Sequence, residues 1–175
     1  MKINLFGFLL TMMASLSGGC GYQILRTELT SDVSIEVPTA NNESSYIGLE
    51  GDFSKQARIQ LQSLTGARIK NSGADFLLEL KILKAKRSAK VWSRDGGANM
   101  GNITLSAAYT LSNIRSGEIE IQNSITRSQE FLFSVGENEN DAFAETIADI
   151  TQQIVLEVAE HLTTTLNVTT TATQR

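Results

Sequence analysis

One cysteine, one proline, one histidine and one tryptophan are all that these 175 residues contain of four informative types. A lone cysteine, Cys20, cannot close an intramolecular disulfide, so the small secreted scaffolds stapled by bridges are excluded. A lone histidine, His161, leaves little to build a metal or acid–base site, and no serine stands in a Gly-x-Ser-x-Gly setting to serve as its nucleophile. The formal charge of -4 lacks the basic footprint of a general nucleic-acid binder. After residue 20 no apolar run is long enough to span a bilayer, and there is no internal repeat. These absences speak against an enzyme, and no cofactor, metal or nucleic acid is expected.

What is present begins at the N-terminus. Met1 and Lys2 give a positive start, Ile3 to Leu16 run almost wholly apolar, and Ser17, Gly18 and Gly19 are small. That order describes an export signal over residues 1–19, too short to be read as a spanning helix. Cys20 directly after the small residues resembles the bacterial lipobox, whose cysteine is acylated and becomes the new N-terminus, although Ser17 stands where the lipobox prefers leucine. Acyl chains hold a protein on a membrane at about 0.8 kcal/mol per buried methylene. The other reading is an ordinary signal peptide cut nearby, which leaves an odd free thiol in an exported chain.

Residues 20–162 read as one domain. Val33, Ile35 and Val37 alternate with Ser34 and Glu36 as a half-buried strand closed by Pro38. Leu49, Phe53, Ala57, Leu61 and Leu64 mark a helical stripe that Gly66 ends. A short extended piece, Ala67 to Lys70, and a turn at Asn71 to Gly73 lead to a strand with Phe76, Leu78, Leu80 and Ile82 on one face. Ile103, Leu105, Ala107, Tyr109 and Leu111 line one face of the next, and after a turn at Gly117 the return run carries Ile119, Ile121 and Ile125, then Phe131 and Phe133. Phe143, Ile147, Ile150, Ile154 and Val158 give the strongest helix signal, with Asp141 and Glu145 suited to its N-terminal end. Residues 163–175, rich in threonine and poor in packing residues, are expected to be a disordered tail. The expected fold is a two-layer α+β sandwich, two α-helices packed on one face of a four-stranded mixed sheet.

Glu157 and Glu160 beside His161 fit a solvated helix face. "GENEND" lacks the glycine and terminal glutamate of a calcium loop, and a turn capped by Asn140 or Asp141 explains it better. "DGGANMG" precedes a strand, not the helix that a phosphate-cradling loop requires, and reads as a hairpin tip. One charge feature rises above background: Lys81, Lys84, Lys86, Arg87, Lys90 and Arg94 cluster with no acid between Glu79 and Asp95, the last five being the candidate site. With Lys84, Lys86 and Lys90 continuing the face of Ile82, this end of the hairpin suits phosphate or another anion. Trp92 suits a protein contact or an acyl chain. An ordinary solvated edge, kept from aggregating by its lysines, accounts for the cluster equally well.

"CGY" at Cys20 to Tyr22, "VSIEVP", "GLEGDFSKQARIQLQ" from Gly48, "GADFLLEL" from Gly73, the strand pair split by "RSGE" and the closing helix together resemble the lipopolysaccharide-assembly lipoprotein family LptE over most of the mature chain. The resemblance implies an outer-membrane lipoprotein facing the periplasm. It would plug and assist the LptD-like translocon β-barrel and help deliver lipopolysaccharide to the cell surface. Gly21 after Cys20 is compatible with outer-membrane sorting. The family offers no short motif for its lipid contacts, so the five basic residues rest on charge clustering alone. A general periplasmic binding or scaffolding lipoprotein for another envelope complex or glycan is the alternative reading.

Overall fold

The computed structural model describes residues 33–92, 98–132 and 136–173, with side chains left aside at 90–92, 98–99 and 166–173. Six strands and two helices follow in the order β1 (Ser34–Glu36), β2 (Asn41–Asn42), α1 (Leu49–Gln60, continued by a π-helical turn over Leu61–Thr65), β3 (Arg68–Lys70), β4 (Phe76–Trp92), β5 (Ala98–Asn113), β6 (Ile119–Leu132) and α2 (Glu139–Thr173). The sheet order is β3-β1-β4-β5-β6, with β2 also on β4. β1 runs parallel to β3 and β4, and β4, β5 and β6 form an antiparallel meander, so the sheet is mixed as expected.

The expected four strands are corrected to six. Arg68–Lys70 adds an edge strand to β1, and Asn41–Asn42 lies beside Lys81 and Ile82 of β4. Both pieces are too short and too polar to show an alternation of two. Between β1 and β2 the chain steps away at Pro38, and α1 satisfies the freed groups. Arg58 donates to the Val37 carbonyl through Nε and Nη2 at 2.9 and 2.6 Å, and the Ala40 amide donates to Ser54 Oγ at 2.7 Å.

Both helices cover one face of the sheet. Phe53, Ala57 and Leu61 from α1 and its π turn, and Phe143, Ile147, Ile150, Ile154 and Val158 from α2, meet Leu78, Leu80, Ile82, Ile103, Leu105, Ala107 and Leu111 in one buried cluster. Gly66 ends the first helix in the left-handed region (φ 72°), where glycine carries no steric penalty. Asn138, not Asn140 or Asp141, opens α2, its Oδ1 accepting from the amides of Asn140 and Asp141 at 2.9 and 3.1 Å.

Two further expectations are corrected. Ile119 does not share a face with Ile121 and Ile125: a register shift where Ser112 meets Ile119 turns it outward, 57% exposed. The last helix continues through Thr173 and does not end at Leu162. Threonine hydroxyls there bond back to the helix's own carbonyls, Thr163 to Ala159 at 2.7 Å and Thr164 to Glu160 at 2.9 Å, so the polar composition is compatible with continued helix.

Candidate ligand and partner surface

A β-bulge divides the basic cluster. The register passes from Ile82 opposite Ala107 to Lys84 opposite Ser106, leaving Leu83 as the extra residue. From there the alternation is inverted relative to a simple count of two. Ala85 and Arg87 now lie over Leu105 and Ile103 on the helix-covered face, whereas Lys84 and Lys86 lie beside Ser106 and Thr104 on the open face. Lys84 and Lys86 therefore do not continue the face of Ile82, which corrects the sequence reading.

Arg87 is turned toward α2, where its Nη1 stands 2.9 Å from Glu139 Oε2. Tyr46, whose ring centroid is 4.9 Å from that of Phe143, borders the pair. Burial first, and then the Glu139 charge, push its hydroxyl above the usual tyrosine range. Arg87 thus belongs to the packing of helix on sheet, and the sheet's open face keeps Lys84 and Lys86, both exposed. Cys20, Arg94 and the side chains of Lys90 and Trp92 lie outside the described residues.

The open face is an array of cross-strand rows. Lys86, Thr104 and Ser128 form one row, and Lys84, Ser106 and Thr126 the next. Their hydroxyls satisfy one another, Thr104 to Ser128 at 2.8 Å and Ser106 to Thr126 at 2.9 Å. Beyond the bulge lie the rows Lys81, Ala108 and Ser124, and then Glu79, Thr110 and Gln122. Here the face sinks into a groove of about 490 Å³, also bordered by Thr39 and Asn41. Lys81 is held by Glu43 at 2.7 Å. The sequence alone does not align these positions, because their alignment across three strands depends on registers that no single strand reveals.

His161 and the "GENEND" segment are held in structural contacts. His161 Nε2 lies 3.0 Å from Glu120 Oε2, within α2 and against β6. In "GENEND", Glu137 accepts from the Leu132 amide at 2.7 Å, Glu139 from Arg87, and Asn138 caps the helix. Among the described residues, no three His, Cys, Asp or Glu side chains are placed to hold a metal ion, and no helix is long and apolar enough to cross a membrane.

A family model described as LptE, lipopolysaccharide-assembly, matches residues 33–158. Among curated proteins none matches the sequence. Solved structures similar to the chain include a hypothetical protein from Chlamydia trachomatis at 14% identity, covering 74% of this chain and 97% of that one with a TM-score of 0.58. A Xanthomonas campestris protein is similar at 9% identity, covering 80% and 90% with a TM-score of 0.55. A provisionally classed lipoprotein of Caulobacter crescentus is similar at 17% identity, covering 73% and 92% with a TM-score of 0.50. At these identities the structures show a shared fold.

Proposed function

We propose, from the premise that this chain belongs to the LptE lipopolysaccharide-assembly family, that it is an outer-membrane lipoprotein that plugs an LptD-like translocon barrel and assists its assembly. Its role lies in lipopolysaccharide assembly, within a family of non-catalytic envelope lipoproteins. The observation that carries the reading is the family match over residues 33–158, which spans every packed element from β1 into α2. The anchor is a lipidated Cys20, and the barrel partner and lipopolysaccharide are its two ligands.

The open sheet face supports this reading. A barrel lumen is polar, and a plug needs a surface of hydroxyls, amides and charges to face it. The meander offers Thr104, Ser106, Thr110, Thr126 and Ser128 with Lys84 and Lys86, while the helices bury the opposite face. On that surface the two lysines would meet lipid phosphates by charge-assisted hydrogen bonds. Lys90, Arg94 and Trp92 belong to the same proposal as neighbours in sequence of Lys84 and Lys86, and Arg87 as the residue that ties β4 to α2.

The test is affinity capture of the tagged, membrane-extracted protein, with mass spectrometry of co-purifying proteins and of the N-terminal peptide. A large outer-membrane barrel together with a diacylglyceryl Cys20 is the expected result. Capture of a different envelope complex and no barrel would replace the plug with a general scaffolding lipoprotein.

A further inference from the structure

The groove on the open sheet face differs chemically from the lysine end that adjoins it. Around Lys84 and Lys86 the hydroxyls are paired with one another. In the groove, Glu79, Thr110 and Gln122 lie in one cross-strand row, and their side chains hold no hydrogen bond among the described residues. Strands stand about 4.8 Å apart, so a carboxylate, a hydroxyl and an amide are offered at regular intervals across the sheet. Pro38, Leu83 and Ala108 supply the apolar part of the lining.

We propose that this groove binds the neutral sugar chain of a phosphorylated glycolipid, whose phosphate end is directed along the sheet toward Lys84 and Lys86. The proposal rests on the lipopolysaccharide reading above and names the part of the ligand that the sheet face takes. Sugar hydroxyls both donate and accept, and the row offers both functions: Glu79 accepts only, whereas Thr110 and Gln122 do both. A carboxylate receiving sugar hydroxyls makes charge-assisted bonds, roughly twice as strong as neutral ones.

Other occupants fit less well. An anion would meet Glu79, and the nearest ammonium, on Lys81, is already paired with Glu43. A peptide adds to a sheet through main-chain bonds at an edge, whereas β5 is paired on both sides and the groove lies over its face. An acyl chain would bury the unpaired Glu79 carboxylate at a large desolvation cost. Continuity settles the orientation: the rows of Glu79, Lys81, Lys84 and Lys86 follow one another on one face, at about 7 Å per row from the rise of a strand. A ligand neutral at one end and phosphorylated at the other matches that sequence of charges.

The experiment uses the full-length, nitrogen-labelled protein in detergent, titrated with delipidated and dephosphorylated core oligosaccharide of lipopolysaccharide. A parallel arm uses chitotetraose, a stand-in for peptidoglycan glycan. The expected result is saturable amide shifts at Glu79, Thr110 and Gln122 with the core oligosaccharide and none with chitotetraose. Glu79→Gln should weaken Kd by about tenfold, as loss of one charge-assisted bond would. Thr110→Val, which keeps a β-branched strand residue, should also weaken it, and the dispersion of each variant's spectrum reports that it folds. No saturable shift with the core oligosaccharide, or equal or exclusive binding of chitotetraose, overturns the proposal. Barrel capture, measured on the Glu79→Gln protein, is expected to be unchanged. Its absence in the parent protein would instead overturn the plug reading and leave the sugar titration interpretable.

Discussion

Arg87 Nη1 lies 2.9 Å from Glu139 Oε2, so a residue of the basic hairpin is tied to the first turn of α2. The contact exists because the Leu83 bulge inverts the strand's alternation, carrying Arg87 to the helix side and Lys86 to the open side. Neighbouring cations in sequence consequently have different tasks in the proposed function.

Substitution should separate those tasks. The Arg87 and Glu139 side chains are 47% and 25% exposed, so solvent screens the pair and its coupling should not exceed about 1 kcal/mol in a double-mutant cycle by urea unfolding. Lys86→Glu should leave stability within about 0.5 kcal/mol. The same change should weaken binding to phosphorylated lipopolysaccharide several-fold at low salt, with the difference shrinking as salt is raised. Equal effects of both positions on binding, with none on stability, would contradict the division.

Gly101 should tolerate no side chain beside the ring it accommodates. A Cβ there would stand 2.3 Å from Phe131 Cζ, and Phe131 is only 2% exposed, so the ring has little room to retreat. Gly101→Ala should cost about 1–3 kcal/mol by overpacking. Adding Phe131→Leu should recover part of that loss, giving a coupling in thermal or urea unfolding that the two single changes do not predict.

These cases also show what was legible in the sequence. The strand face of Ile103, Leu105, Ala107, Tyr109 and Leu111 and the α2 row from Phe143 to Val158 were readable because each is a long, unbroken period against one core. The facing of Lys84, Lys86 and Ile119 was not, because one extra residue in a ladder reverses every later side chain without altering composition. β2 is not legible as a strand and β3 only as a short extended piece, because pairing with a neighbour, and not their own pattern, defines them. The row of Glu79, Thr110 and Gln122 is likewise a property of two registers together, β4 with β5 and β5 with β6. Arg87 was grouped with the lysines by proximity in sequence, whereas its partner is 52 residues away.

The junction of β1 with β4 should be acid-sensitive. Ser34 donates through its hydroxyl and its amide to Asp75 Oδ2 at 2.5 and 3.1 Å. Those two bonds, the hydroxyl's first, hold the Asp75 carboxyl below its ordinary value. A carboxylate depressed in the folded state contributes stability above its unfolded pKa, and the contribution is lost as pH falls through the folded value. Ser34→Ala should therefore cost about 1–2 kcal/mol at neutral pH, and less in urea titrations carried below the ordinary aspartate range. An unchanged penalty at low pH would mean that the serine acts through packing alone.

The contact of Tyr109 with Glu157 should limit stability at both ends of the pH scale. Tyr109 is 1% exposed on β5 and donates its hydroxyl to Glu157 Oε2 on α2. Asn123 and Gln153 also donate to that carboxylate, at 3.1 and 2.8 Å. For Glu157, burial acts to raise the pKa, but the three hydrogen bonds, that of Tyr109 foremost, outweigh it and leave the carboxyl below its ordinary value. For Tyr109, burial first and then the bond to Glu157 push the phenol well above its ordinary value. Two limbs follow from linkage. The Glu157 contribution is present above its unfolded pKa and fades as acid protonates the folded carboxylate; the Tyr109 contribution is present below an unfolded phenol pKa of about 10 and fades as alkali ionises the unfolded chain. Tyr109→Phe should destabilise the protein at neutral pH by about 1–3 kcal/mol, since it deletes a buried donor to a charged acceptor. It should also flatten the alkaline limb, because phenylalanine does not titrate. Urea midpoints collected across pH for both proteins decide the matter: parallel alkaline limbs would show that Tyr109 is not the group responsible.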